Sequence, residues 1–196
     1  MRVFVTELNI TPETATALFS ALPKAQAHRA GNLAATVGFL LVRYALRQYD
    51  PALSAEHWQK SAHGKPFLAG TPYHFNLSHS RYGVAVAVSD RKELGIDIEE
   101  VRPHPQRFAA RYFSEAEQAL VASAADPHSD LVRIWTAKEA EAKRLGTGLS
   151  AGIAQISTDR VASTPITLCQ KPHWLSVSPA NAIPTIERIT AEELLK

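Results

Sequence analysis

Gly95-Ile96-Asp97-Ile98-Glu99-Glu100 is the stretch on which the reading of this chain turns. Ile96 and Ile98 alternate with Asp97 and Glu99, and side chains on an extended strand repeat every two residues. The isoleucines therefore share one face and the carboxylates the other. Two carboxylates on one strand face, roughly 6–7 Å apart along the chain, repel unless something cationic sits between them. Taken alone, the pattern fits a half-buried strand with a solvated acidic face. The sharper reading is a cation site open to a phosphate-bearing substrate.

A second stretch, Trp135-Thr136-Ala137-Lys138-Glu139-Ala140, weighs on that choice. On a helical wheel of about 100° per residue, Leu131, Ile134, Trp135, Ala142 and Leu145 form one apolar stripe. Lys138 falls inside that stripe and Glu139 at its edge, with Lys143 one turn further on. A lysine within a buried stripe is costly unless it snorkels or meets an anion. Glu139 and Lys143 can be an ordinary i,i+4 surface pair, contributing a few tenths of a kcal/mol. Their position beside the buried face argues for more, because such local inconsistencies concentrate at functional sites.

Around these stretches the rest of the chain has a legible order. Residues 2–8 read as a first strand, and Thr11-Pro12-Glu13 as the start of a short helix ending near Pro23. Leu33, Val37, Leu40, Leu41 and Tyr44 predict a long helix over 25–49, with Lys24, His28 and Arg29 at its start. Gly64-Lys65-Pro66 lacks the hydroxyl residue and upstream glycine of a nucleotide-binding phosphate loop. Tyr73–Leu77 reads as a strand running into Ser78-His79-Ser80. The apolar run from Gly83 to Val88 suits a strand covered on both faces, so Tyr73–Glu99 is expected to be a three-stranded meander. Residues 106–112 suit a short helix carrying Arg107 and Arg111. Ser114-Glu115-Ala116-Glu117 is a capping box, and Asp126-Pro127 opens a helix that stops at Gly146. Short β-type runs fill 153–189, and Thr190 begins a terminal helical turn.

Composition narrows the class. With 45 % hydrophobic and 20 % charged residues over 196 positions, the chain can bury a proper core. A net charge of +2 tolerates a phosphate ligand but is no nucleic-acid-binding stripe. The single cysteine, Cys169, excludes an internal disulfide and a cysteine-rich metal site. No run is long enough for a membrane span and no signal-peptide pattern opens the chain, so a cytoplasmic protein is expected. A histidine between two serines, as at His79, is commonly a turn residue. Beside several carboxylates and cations it also suits a site for a metal-bound, phosphate-rich ligand.

Read in order, Phe75-Asn76-Leu77-Ser78-His79-Ser80, Gly95-Ile96-Asp97-Ile98-Glu99, Arg111-Tyr112-Phe113-Ser114-Glu115-Ala116-Glu117, Trp135-Thr136-Ala137-Lys138-Glu139-Ala140, Lys143 and Gly146-Thr147-Gly148-Leu149 closely resemble the Sfp-type 4′-phosphopantetheinyl transferases. The resemblance covers roughly residues 60–155. It implies an α+β (α/β) fold of two similar lobes related by a pseudo-twofold, each a small antiparallel sheet packed with a long helix. The lobes are expected at 1–96 and 97–196. The implied reaction moves the 4′-phosphopantetheine arm of coenzyme A onto a serine of an apo acyl or peptidyl carrier protein, releasing adenosine 3′,5′-bisphosphate. Asp97, Glu99 and Glu139 would be Mg²⁺ ligands, with Glu139 also the general base. Lys143 would hold the pyrophosphate, and Ser78, His79 and Lys65 would meet the coenzyme's phosphates. Catalysis is thus expected of Glu139, Lys143 and His79, and coenzyme binding of Lys65, Ser78, His79, Lys138 and Lys143.

Two departures stand out. Ala34 and Ala35 occupy the region where the family usually places a basic residue, so Lys24 or Arg29 is expected to substitute from farther back. The chain is also short for the type. Arg102, Arg107 and Arg111, with Phe108 and Phe113, form a candidate surface for an acidic carrier; a solvated basic helix face fits the same residues. No nucleic-acid or membrane partner is expected, and the family type is usually monomeric. The alternatives are a Mg²⁺-dependent pyrophosphate hydrolase and a non-catalytic module that binds coenzyme A or a carrier.

Overall fold

The computed structural model describes all residues except 54–57, 62, 63, 92, 106, 149–151, 181 and 183. Leu149 of the last quoted stretch lies outside the described residues. In chain order the strands are β1 (Arg2–Glu7), β2 (Gln59–Lys60), β3 (Pro66–Phe67), β4 (His74–His79), β5 (Gly83–Ser89), β6 (Gly95–Glu100), β7 (Ala162–Leu168), β8 (Lys171–Ser178) and β9 (Ile186–Arg188). The α-helices are α1 (Pro12–Ser20), α2 (Leu33–Arg47), α3 (Arg107–Tyr112), α4 (Glu115–Ser123) and α5 (Pro127–Leu145). The result is a mixed α+β protein.

Two sheets organise it, ordered β4-β5-β1-β9 and β6-β8-β7, with β2 and β3 forming a separate ribbon. All seven residues of β5 are buried, as its unbroken apolar run requires. The expected three-strand meander is not formed. β4 and β5 pair, but β6 leaves them to pair with β8, with Asp97 opposite Ser176 and Glu99 opposite Trp174. Where β6 runs beside β4, side chains replace the backbone ladder. The Ile96 N–H donates to Asn76 Oδ1 at 3.1 Å and Ser78 Oγ donates to Asp97 Oδ1 at 2.7 Å. A buried N–H needs an acceptor, and Asn76 supplies it without closing the sheets into one.

The two faces of each strand explain the layering. Phe4, Val84, Val86 and Val88 pack with Val37, Leu40 and Leu41 of α2. The opposite residues, Val3, Val5, Ala85 and Ala87, pack with Ile96, Ile98, Leu175 and Val177. The order through the molecule is therefore α2, first sheet, second sheet, α5. Ile96 and Ile98 face the first sheet, which turns Asp97 and Glu99 toward α5, as the alternation demanded.

The predicted helix over 25–49 begins later. A 3₁₀ segment covers Lys24–Arg29, Gly31 has φ 87°, and α2 starts at Leu33 behind Asn32, whose side chain accepts the Ala35 N–H. An Asn cap satisfies an amide that a longer helix would have used internally, so glycine and cap together outweigh the upstream periodicity. α5 keeps its expected limits, opening on the Asp126 cap and ending at Gly146 with φ 70°. It lies directly on β6: a Cβ at Gly95 would meet the Ala140 carbonyl oxygen at 1.9 Å. Only glycine permits so close an approach.

Candidate functional site

That close approach brings the acidic face of β6 against one flank of α5. One carboxylate oxygen each from Asp97, Glu99 and Glu139 lie within 4.8 Å of one another. Lys143, one turn beyond Glu139, places its ammonium 2.6 Å from Asp97 Oδ1, 3.0 Å from Ser78 Oγ and 3.8 Å from Glu139 Oε2. Asp97 is 1 % exposed, and its second oxygen, Oδ2, has no hydrogen-bond partner among the described residues.

Electrostatics follows from that packing. Burial, then the neighbouring Asp97 charge, pushes Glu99 up to about 7. The same two causes push Glu139 up to about 8. Burial works against the Lys143 ammonium, but Asp97 and Glu139 outweigh it and the pKa rises. One ammonium cannot neutralise three ionised carboxylates, so the cluster is balanced only by taking up protons, as the raised pKa values record, or a further cation. An all-oxygen donor set with an orphaned buried oxygen suits a hard divalent ion such as Mg²⁺ and not a thiophilic metal.

The other predicted site residues divide into two groups. Ser78 sits within the cluster, donating to Asp97. Lys65 shares with Lys143, Asn76 and Gly146 a cavity of about 230 Å³. The Lys65 ammonium donates to the Arg144 carbonyl at 3.0 Å, and burial lowers its pKa. His79, at the end of β4, is exposed. Its neighbour Ser80 is fixed from the second sheet. His173 Nδ1–H donates to the Lys171 carbonyl, so Nε2 accepts from Ser80 Oγ at 3.0 Å.

Lys138 belongs elsewhere. It lies roughly 140° around α5 from Lys143 and is fully buried. Its ammonium donates to the carbonyls of Ile153, Ala154 and Ile156 at 3.0–3.2 Å and meets Glu117 Oε1 at 3.0 Å. That cage leaves nothing for a coenzyme, so the binding role expected of Lys138 is corrected to a structural one. Arg29 Nε donates to Gln26, and its guanidinium lies 4.5 Å over the Trp58 ring; burial lowers its pKa. Lys24 is exposed. No contact joins Arg29 or Lys24 to the carboxylate cluster among the described residues. Phe113 is core at 3 % exposure, so it drops out of the candidate carrier surface. Phe108 packs against Trp135 and Tyr112, leaving Arg102, Arg107 and Arg111 exposed around them.

Asn76 was missed as a site-building residue. Its signal was present, since asparagine is depleted in strand interiors and one buried there needs a polar partner. Three carboxylates thus meet beside Lys143, whose side chain also lines the cavity that holds Lys65.

Residues 93–182 match the family model described as the 4′-phosphopantetheinyl transferase superfamily. The 4′-phosphopantetheinyl transferase AcpT of Salmonella typhi is 37 % identical over 139 residues, covering 68 % of this chain and 70 % of the relative. The 4′-phosphopantetheinyl transferase Sfp of Bacillus subtilis (strain 168) is 36 % identical over 138 residues, 68 % of this chain and 59 % of the relative. HetI of Nostoc is 34 % identical over 119 residues, 57 % of this chain and 50 % of the relative. The chain belongs to the 4′-phosphopantetheinyl transferase superfamily. Its match spans little more than half the length of the Bacillus relatives. Among the described residues, no helix is long and apolar enough to cross a membrane.

Proposed function

We propose that the chain transfers 4′-phosphopantetheine from coenzyme A to a serine of an apo acyl or peptidyl carrier protein, with Mg²⁺ held by Asp97, Glu99 and Glu139. The observation that carries this reading is the convergence of those three carboxylates beside Lys143. Bound there, Mg²⁺ would supply charge neutralisation for the pyrophosphate. In the transfer, the carrier serine oxygen forms a bond to the phosphorus bearing the pantetheine arm. The bond from that phosphorus to the bridging oxygen breaks, and its electron pair leaves on adenosine 3′,5′-bisphosphate.

The chain's own groups divide the work. The Glu139 carboxylate, beside Lys143 and the other two carboxylates, takes the serine proton directly or through water. Lys143 holds the pyrophosphate and offsets charge developing on the leaving oxygen. Ser78, His79 and Lys65 receive the coenzyme's other phosphate oxygens, while Arg29 or Lys24 supplies the remaining cation. Arg102, Arg107 and Arg111 form the face that meets an acidic carrier, affecting encounter rate more than affinity.

With this reading go its finer expectations. The halves 1–96 and 97–196 are two lobes about a pseudo-twofold, and the protein works as a cytoplasmic monomer without nucleic-acid or membrane partners. Support for the lobes comes from two sheets each carrying one long helix, although β9 crosses back to β1. The test is incubation with coenzyme A, Mg²⁺ and an apo carrier, followed by mass spectrometry of the carrier. A phosphopantetheine increment on its serine is expected. Release of bisphosphate without any carrier would instead mark a hydrolase, and no turnover at all a binding module.

A further inference from the structure

β8 carries none of the residues assigned to the reaction, yet it packs against both β6 and α5, which carry the three carboxylates. Its register with β6 sets Ser178 opposite Gly95, Ser176 opposite Asp97 and Trp174 opposite Glu99. Each β6 residue that faces α5 is thus paired with a polar β8 residue, and each of those three side chains bonds α5. Trp174 Nε1 donates to Ser129 Oγ at 2.9 Å. Ser176 Oγ lies 2.9 Å from Thr136 Oγ1, and Ser178 Oγ donates to Glu141 Oε2.

The middle rung has a fixed direction. Thr136 Oγ1 donates to the Arg133 carbonyl at 3.1 Å, so it must accept from Ser176, which in turn accepts from Ser163 on β7 at 2.8 Å. Ser176, Ser178 and Thr136 are fully buried and Glu141 nearly so. Arg144 pairs Glu141 through two bonds of 2.6 and 2.8 Å, so the carboxylate keeps a partner of its own.

What such rungs control is the setting of a helix on a sheet. Gly95 fixes how close α5 lies, because the helix touches β6 at Ala140. Separation alone leaves rotation and axial slide free. With Ala140 over the strand, Glu139 and Glu141 leave α5 on its two flanks, roughly 200° apart by helical geometry. Holding Glu141 to Ser178 on one flank therefore sets how far Glu139 turns toward Asp97 on the other. Thr136, one turn before Ala140, fixes the slide. At a side-chain radius of roughly 5–6 Å, a 10° rotation moves a carboxylate by about 1 Å. That displacement exceeds the tolerance of about 0.2 Å expected at a metal centre.

We propose that Ser176 and Ser178 of β8, through Thr136 and Glu141, are positioning residues that hold α5 in the rotation and slide at which Glu139 joins Asp97 and Glu99. The inference rests on the metal-centre reading given above. A merely structural role predicts lower stability with unchanged ion affinity. A positioning role predicts weaker ion binding at matched stability.

The test is Mn²⁺ affinity of the full chain by calorimetry, alongside thermal melting. Thr136→Val with Ser178→Ala removes both hydroxyls with little change of shape, and is expected to weaken Mn²⁺ binding about tenfold. Thr136→Ser, which keeps the hydroxyl, should stay within about twofold of the parent. Val42→Ala, a truncation in the α2 core, should melt lower yet bind Mn²⁺ as the parent does. Should the double variant not fold, Ser178→Ala alone gives the same reading with a smaller shift. Parental affinity in a folded variant that melts lower would overturn the inference. A parent chain that binds no Mn²⁺ would instead refute the metal centre itself, and the positioning role with it, before any variant is compared.

Discussion

Lys138 and Lys143 stand on the same helix, five positions apart in the sequence, and their surroundings could hardly differ more. Lys138 is sealed: three carbonyls and Glu117 surround its ammonium within 3.2 Å. Lys143 faces a cavity, and around it the balance runs the other way, with carboxylates outnumbering cations and one buried oxygen lacking a partner among the described residues. A saturated buried charge is structural, because any further ligand would have to displace bonds already made. An unbalanced cluster is held together by the fold against its own repulsion, and a further cation would relieve it. The side chains are chemically identical; the surroundings assign the role.

The largest expected effect tests the unbalanced side. Glu139→Gln removes the proposed base and one charge of the proposed ligand set without changing shape. Transfer should fall by roughly 10²–10⁴ while coenzyme A binding persists, measured as the rate of carrier mass gain beside coenzyme calorimetry. Near-parental turnover would remove Glu139 from the mechanism. On the saturated side, Lys138→Met should cost about 3 kcal/mol of stability by leaving Glu117 and three carbonyls unpaired. Denaturant melts would register that loss, with coenzyme affinity of the folded fraction unchanged. A coenzyme-binding defect at full stability would reverse the roles given to the two lysines.

A smaller effect falls on the contact that brings the two flanks into place. Gly95→Ala forces α5 away from β6, and overpacking of this kind costs about 1–3 kcal/mol. Mn²⁺ affinity should drop with it, and unchanged affinity would mean that the close approach does not set the cluster. The smallest effect is on pH. Glu99 and Glu139 lie above their ordinary 4.5 in the fold, at about 7 and about 8. Folding therefore favours their protonated forms. The stability they contribute is whole below about 4.5 and is lost as pH rises through about 7 and 8. Metal-free protein should lose melting temperature over that window, Glu139→Gln should lose less, and Mg²⁺ should restore the parent only at the alkaline end. Equal slopes for parent and variant would contradict the coupling.

Legibility in the sequence followed the range of the forces involved. The alternation of Gly95–Glu100, the capping box at Ser114 and the limits of α5 are local, and each was readable from residue spacing. Placing Glu139 beside Asp97 and Glu99 needed the family resemblance, because spacing on one strand and one helix says nothing of how they cross. The meander failed for a long-range reason: β6 finds a better partner in β8, whose side chains also hold α5. The early start expected of α2 failed on a local competition between periodicity and the Gly31-Asn32 stop. Lys138 was recognised as anomalous, and the anion it meets, Glu117, lay within the capping box already identified. The three carbonyls around it come from a turn that no pattern announced. The hydroxyls of β8 were invisible, since buried serines in a strand read as ordinary alternation until the helix above them is known.

The central claim is that β6 and α5 together hold one divalent cation. Crystals grown with Mn²⁺ and measured for anomalous scattering test it most directly. The account predicts a single strong peak bonded to Asp97 Oδ2 and to one oxygen each of Glu99 and Glu139, close to Lys143. A peak lying elsewhere, or none between those three side chains at saturating Mn²⁺, would contradict it.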